Sequence, residues 1–493
     1  MKKYFVWMCN GELIFGIVLI LFGVFTRIFQ FNRLGYWIDE LFSITLSSQN
    51  FSSMFSDITM DIHPPIYQLL LWFWIFCFGN SPESGRLFSV LFALLLLPLV
   101  YYGTKSILNG TQRLLLLAMT VFSSGYILYA HETRSYSLLI FCTALIFLLF
   151  LRQIELGISF KSQSIFLLLS LFTENIHYFG FIFVHLLWVF YLVFVIKKYW
   201  SENQRLVWQS IFCYIIISLG FGWEIYKILF VISKSAYGNW IPEPNSDIYI
   251  HFFSYLYYFL PYKRIPLLVL FVILLILPIP FFIKQNFRIE FKKQKDKFFL
   301  TLGFCSLFLL LTFIVSLYKP MVTSRNLLVL SFPFYICFSI WISLMTSVWR
   351  SKYVLSLVTL SFLLSYLSFA KFYYKDFQKE PWREMTNKAI ELSQDSTLYY
   401  SLGTQSFWNY YMKDVNKKSG VMEMLPTSES CREILKVQKE KNVKQLFVFE
   451  TMWDGMDAEK IKNQRMCLDQ ISSLSKNQGQ YQFIVMTLWM YEF

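Results

Sequence analysis

Long uncharged runs recur along this chain, and they limit what it can fold into more than any other feature. Apolar stretches occur near residues 12–30, 87–104, 114–130, 136–151, 164–177, 179–196, 208–232, 266–283, 298–317, 326–348 and 353–370. A bilayer core needs about 20 apolar residues per helical span, so these runs predict about eleven transmembrane helices. Composition agrees: 56% of the residues are hydrophobic and 15% are charged. A soluble chain of 493 residues, which length alone would divide into about three domains, is excluded.

The net charge of +13 does not point to nucleic acid. Residues 371–493 hold 17 Lys+Arg and 16 Asp+Glu, so nearly all of the excess belongs to the hydrophobic part. Basic residues in short loops are how membrane proteins encode orientation.

Orientation also settles the status of residues 66–79, which are apolar but only 14 residues long. That length suits a helix lying in the interface. If 66–79 does not cross, the loops carrying Lys105/Arg113, Arg152/Lys161, Lys197/Lys198/Arg205, Lys284 to Lys297 and Arg350/Lys352 all face the cytoplasm. Together they hold 15 Lys+Arg, against six in the alternating loops. A crossing at 66–79 would invert this bias, so the non-crossing arrangement is preferred.

The expected architecture is therefore a mostly α, polytopic helical membrane protein with a cytoplasmic N-terminus. The first helix is retained, because its run from Leu13 to Phe25 lacks a small-residue cleavage site. Residues 31–85 form one outer loop containing the interfacial helix. Residues 1–370 make the membrane domain, and 371–493 a small extracytoplasmic α/β domain. In that tail Thr397–Leu402, Gln445–Glu450 and a closing segment Tyr481–Tyr491 read as strands, with helices near 431–441 and 457–474. Five of the eight cysteines lie in apolar segments, and Cys431 and Cys467 are the pair within the tail. An extracytoplasmic tail would allow a disulfide between them.

Polar residues then sort by side, and four of the five histidines fall outside. The run Gly35-Tyr36-Trp37-Ile38-Asp39-Glu40 sets two carboxylates beside two aromatic rings. Such a pair can supply a general base and a hydrogen-bonding or metal partner; it equally suits a helix N-terminus at the membrane surface. Asp61-Ile62-His63-Pro64-Pro65-Ile66-Tyr67 has prolines that favour a helix start. Its histidine suits an acid/base, a phosphate contact or a metal ligand, and the segment also reads as a solvated turn. His131-Glu132-Thr133-Arg134 ends another outer helix, where Arg134 can grip a phosphate or pair with Glu132. His177 marks the next outer helix end. Glu224 and Lys227, three apart in an apolar run, read as a mutual pair.

Taken in order, Trp-x-Asp-Glu, Asp-x-His-Pro-Pro-x-Tyr, Arg86-Leu87-Phe88-Ser89 and Glu132-x-Arg134-x-Tyr136 resemble the bacterial family 39 glycosyltransferases. These share the GT-C fold with protein O-mannosyltransferases and lipid A aminoarabinose transferases. The likeness extends weakly to His177-Tyr178-Phe179-Gly180, to Arg325-Asn326-Leu327 where the family has Arg-Tyr-Leu, and to Pro381-Trp382-Arg383-Glu384. It implies transfer of a sugar from a polyprenyl-phosphate donor to an extracytoplasmic lipid, glycan or protein, with inversion, at the bacterial cytoplasmic membrane. Asp39 is similar to the family's base, with Glu40 assisting. His63, Arg86, Arg134 and Arg325, with Tyr67, Asp61 and His177, match positions near the donor. A divalent metal is an open question: Ile62 stands where the aminoarabinose transferases have an acid, and Asp61, His63, His177 and His251 are the candidate ligands.

Two other classes fit the sequence less well. A glycan ligase or polymerase of GT-C type would carry its large outer loop late in the chain, whereas the acidic run here is in the first. A lipid or glycan transporter would show matching halves and midplane charges, which this sequence lacks.

Overall fold

The computed structural model describes all residues except 1, 62, 231–240, 242, 260–264, 395–396, 403–409, 412–427, 441, 452–457 and 484–485. Ile62 therefore lies outside it, as does the side chain of Cys431. The chain divides into two compact units. One comprises Met1–Phe31 and Ser47–Lys375; the other comprises Asn32–Leu46 and Asp376–Phe493. The Trp37–Glu40 run thus belongs to the same unit as the C-terminal tail.

The first unit is helical. Its helices are α1 (Lys2–Ile28), then α3 (Phe51–Met60), α4 (Ile66–Phe78), α5 (Pro82–Pro98), α6 (Gly110–Phe122), α7 (Ser124–Ala130), α8 (Tyr136–Leu156) and α9 (Phe160–Glu174). They continue as α10 (Tyr178–Tyr199), α11 (Gln204–Gly220), α12 (Gly222–Phe230), α13 (Ser246–Leu256), α14 (Ile265–Ile276), α15 (Gln285–Tyr318), α16 (Ser331–Ser343) and α17 (Ser351–Lys375). The intervening α2 (Ile38–Ser47) runs from the second unit into the first.

Local sequence explains where these helices begin and end. Asn109 and Gln112 bond each other's backbone amides at 2.9 and 3.1 Å, a reciprocal cap for α6. Ser81 caps α5, whose first residue is Pro82. Gly79 ends α4 at φ 78° and Gly157 ends α8 at φ 91°, conformations that favour glycine.

Among the described residues, eight helices are long and apolar enough to cross a membrane, or nine if the bent pair α6–α7 is one span. The remaining two of the eleven expected runs are α9, of 15 residues, and the 208–232 run, which breaks at Phe221 into α11 and α12, of 17 and 9 residues. Helix α4 is 13 residues long. At 1.5 Å per residue it reaches about 20 Å, short of a bilayer core of about 30 Å.

The α6–α7 pair bends by 53°. Breaking the helix at Ser123 frees carbonyls that an uninterrupted helix would bond. Arg27 of α1, fully buried, donates to two of them, Thr120 O at 2.7 Å and Val121 O at 3.1 Å. Charged side chains in a membrane interior commonly pair with backbone carbonyls in this way.

The second unit carries a four-stranded sheet, order β1-β2-β4-β3. Strand β1 (Thr397–Leu402) pairs parallel with β2 (Gln445–Thr451), which pairs antiparallel with β4 (Met486–Glu492); β3 (Asn477–Phe483) completes the sheet beside β4. The single closing strand expected over Tyr481–Tyr491 is thus two strands. Its alternating pattern runs through both arms of a hairpin, so periodicity alone does not reveal the reversal. Helices α18 (Trp382–Leu392), α19 (Ser428–Glu440) and α20 (Ala458–Leu474) complete the unit. Ile434 of α19 and Leu468 and Ile471 of α20 bury against Leu398, Leu446 and Val448 of the sheet. Cys467 is buried and disulfide-bonded.

Candidate functional site

In the second unit, the acidic run Trp37–Glu40 meets the segment that links α17 to α18. Trp37 precedes α2, and Ile38, Asp39 and Glu40 form its first turn. The first amides of a helix have no partner within it. Here two carboxylates take them: Glu40 Oε2 lies 3.4 Å from Trp37 N, and Glu380 Oε2 accepts from Ile38 N at 3.0 Å. Trp382 Nε1 donates to the same Glu380 oxygen at 3.1 Å. Burial pushes the Glu380 carboxyl above its ordinary range; these two donors oppose the shift, and the charge of Asp39 adds to it.

Cations surround this acidic turn. Lys379 Nζ sits 4.5 Å from the centre of the Trp37 ring, an arrangement worth about 0.5–1 kcal/mol at exposed sites. Arg383 Nη2 donates to Arg33 O at 2.9 Å, and Arg33 Nη2 to Phe377 O at 2.8 Å. A cavity of about 220 Å³ opens here, lined by Arg33, Gly35, Lys379, Glu380, Pro381 and Glu384 among others.

Gly35 is required by close approach. A Cβ there would lie 2.8 Å from Arg383 Cβ and 3.1 Å from the Tyr411 hydroxyl. Gly35→Ala is therefore expected to cost about 1–3 kcal/mol through overpacking. Limited proteolysis of the purified protein should report it as faster cleavage around residues 33–38; cleavage at the wild-type rate would contradict the expectation.

The first unit gathers a different set. His63 Nδ1 is 3.2 Å from Asp61 Oδ2. Lys227 Nζ donates to Asp61 O at 3.0 Å and to His63 O at 3.4 Å, while pairing with Glu224 Oε2 at 2.9 Å. Tyr178 OH adds a bond to the same Glu224 oxygen at 3.4 Å. The Glu224–Lys227 pair expected from spacing is present, and it also secures the loop bearing His63.

His177 caps α10 by accepting from Phe179 N through Nδ1 at 3.1 Å, which leaves its proton on Nε2. His63, Arg134 and Arg325 are its neighbours. The Arg325 guanidinium lies 5.8 Å from the centre of the Tyr136 ring, and Tyr136 OH donates to Asn326 Oδ1 at 3.3 Å. Asn326, standing where the resembling family has tyrosine, thus engages the ring beside Arg325. Arg86 is buried with Nη1 3.4 Å from Phe31 O. Tyr67, on α4, is buried against Phe88.

Sequence-derived residues thus fall in two groups. Asp61, His63, His177, Arg134 and Arg325 come together in one unit, and Asp39 and Glu40 lie in the other. His251 is exposed on α13. Among the described residues no three or more His, Cys, Asp or Glu side chains are placed to hold a metal, so the four candidate ligands do not form such a group. Glu380 went unnoticed in the sequence, although it directly precedes the Pro381-Trp382-Arg383-Glu384 run. His131 serves the fold: its ring nitrogens contact Tyr373 OH and Arg27 O at 3.1 and 3.0 Å.

No family model matches the sequence, and no curated protein matches it. Solved structures do. The crystal structure of ArnT from Cupriavidus metallidurans in the apo state aligns with a TM-score of 0.56 at 10% identity, covering 98% of each chain. ArnT from the same organism bound to undecaprenyl phosphate aligns with a TM-score of 0.52, again at 10% identity and 98% coverage of each. At that identity the likeness speaks for the fold alone, and the fold of this chain is the GT-C type of polytopic membrane protein.

Proposed function

We propose that this chain is an integral-membrane glycosyltransferase that moves a sugar from a polyprenyl-phosphate donor to a hydroxyl-bearing acceptor outside the cytoplasm. The observation that carries the reading is the meeting of Trp37-Ile38-Asp39-Glu40 with the 380–384 segment in a chain of GT-C fold. The fold neighbour solved with undecaprenyl phosphate supports the donor class. The disulfide at Cys467 supports an oxidising, extracytoplasmic side for the tail, with the N-terminus cytoplasmic.

In this mechanism Asp39 removes the proton from the acceptor hydroxyl as its oxygen attacks the anomeric carbon. The bond from that carbon to the phosphate oxygen breaks, the electron pair leaves with the polyprenyl phosphate, and the anomeric centre inverts. Charge develops on the departing phosphate, and fixed cations stabilise such charge best when already in place. Arg134 and Arg325 take that role. His63 adds a contact, and His177 offers its Nε2 proton. Glu40 supports the turn that carries Asp39.

Glycolipids and surface glycans from a strain lacking this protein are expected to lack one sugar by mass spectrometry, restored on complementation. An unchanged glycan profile would overturn the reading. In purified protein, Arg325→Met is expected to weaken undecaprenyl-phosphate binding about tenfold, the loss of one charge-assisted contact of about 1.4 kcal/mol. Equal affinity would remove Arg325 from the donor site.

A further inference from the structure

Asp39 can act as a base only if its direction is fixed, and α2 is a ten-residue helix that cannot hold itself, since isolated helices this short are marginal in water. Something outside the helix must set its first turn. Tyr411 binds the backbone of Tyr36 just before it, and four further contacts come from one short stretch about 340 residues further along the chain. Phe377 O, Lys379, Glu380 and Arg383 engage Arg33, Trp37, Ile38 and Arg33 O in turn. Among them, the bond from Ile38 N to Glu380 Oε2 reaches α2 itself.

Glu380 is itself held in place. Its carbonyl accepts from Trp382 N at 3.0 Å while its side chain accepts from the Trp382 indole, and Trp382 is fully buried at the start of α18. The route from a rigid, buried tryptophan to the residue before Asp39 is thus two hydrogen bonds through one carboxylate oxygen. A negative group at a helix N-terminus is further favoured by the helix dipole.

We infer that Glu380 is a positioning residue for the proposed base: it fixes the N-terminus of α2 in trans and so sets the direction of Asp39. The inference rests on the reading of Asp39 as the base. It requires an acceptor oxygen at position 380, not a charge or a transferable proton. Glutamine preserves that acceptor, and leucine removes it.

The test uses the full chain in lipid nanodiscs, as wild type, Glu380→Gln, Glu380→Leu and Asp39→Asn. Ile38→Pro serves as a second route, deleting the donor amide at a position where proline is tolerated in a helix. Two quantities are read: hydrogen exchange over residues 38–42, and transfer from a polyprenyl-phosphate sugar. Glu380→Leu and Ile38→Pro are expected to speed exchange about tenfold through local opening. They should lower kcat by about 10- to 100-fold, with donor KM within about twofold, the pattern of a misplaced reacting group. Glu380→Gln should keep both within about threefold of wild type, since the net bond is retained.

Wild-type exchange and kcat in Glu380→Leu would overturn the inference. So would a Glu380→Gln variant as slow as Glu380→Leu, which would assign the role to charge. If Asp39→Asn turns over normally, the base reading fails by itself, and the exchange data still decide whether Glu380 holds the helix.

Discussion

Asp39→Asn is expected to lower sugar transfer by about 10²- to 10⁴-fold, the range associated with removing a general base, while leaving the amount of folded protein unchanged. The substitution keeps the side chain's size and removes its basicity. Three contacts of the turn use other groups: Ile38 N to Glu380, Trp37 N toward Glu40, and Ser43 Oγ donating to the backbone carbonyl of residue 39 at 3.1 Å. Asparagine disturbs none of these, so lost activity would report chemistry. Label transfer from a polyprenyl-phosphate sugar in isolated envelopes, normalised to protein level, measures it. Glu40→Gln should cost less, because Glu40 is fully buried and reaches back toward Trp37 N. Normal transfer by Asp39→Asn would remove the base from the mechanism.

The carboxylates of this turn were legible because they are adjacent in sequence and follow a long apolar run. Glu380 was not. Its partner amide is 342 positions away, and a lone glutamate near a Pro-Trp pair gives no periodic signal. The helices were readable from hydropathy for the same reason that their interruptions were not. A run such as 114–130 records that residues prefer an apolar surrounding, but the partners at its 53° bend are distant in sequence: Ser123 donates to Tyr255 O and Ser124 to Ser254 O. Likewise the spacing of Glu224 and Lys227 announced an ion pair, while the bonds from Lys227 to the backbone of Asp61 and His63 cross more than 160 residues. Local pattern reveals elements and their faces; the contacts that assemble a site are long-range, and composition does not encode their partners.

Lys227→Met is the substitution expected to cost most stability. Both side chains of the Glu224–Lys227 pair are almost fully buried, at 2% and 1% exposure. Removing one partner of a buried pair leaves an uncompensated charge and costs about 3–5 kcal/mol. Here the loss extends further, because the ammonium's three hydrogen bonds all end on protein: Glu224 Oε2, Asp61 O and His63 O. The single variant should therefore melt well below wild type in detergent and bind undecaprenyl phosphate weakly. The double variant Glu224→Leu/Lys227→Met separates the two consequences. It removes the stranded charge, so much of the melting temperature should return, since an apolar pair of similar volume replaces a buried ion pair at little cost. It leaves the carbonyls of Asp61 and His63 without their donor, so donor affinity should stay low. Recovery of both properties would mean that Lys227 serves only to neutralise Glu224. Recovery of stability alone would tie the lysine to the placement of His63, making a buried ion pair the support of a loop in the proposed donor site.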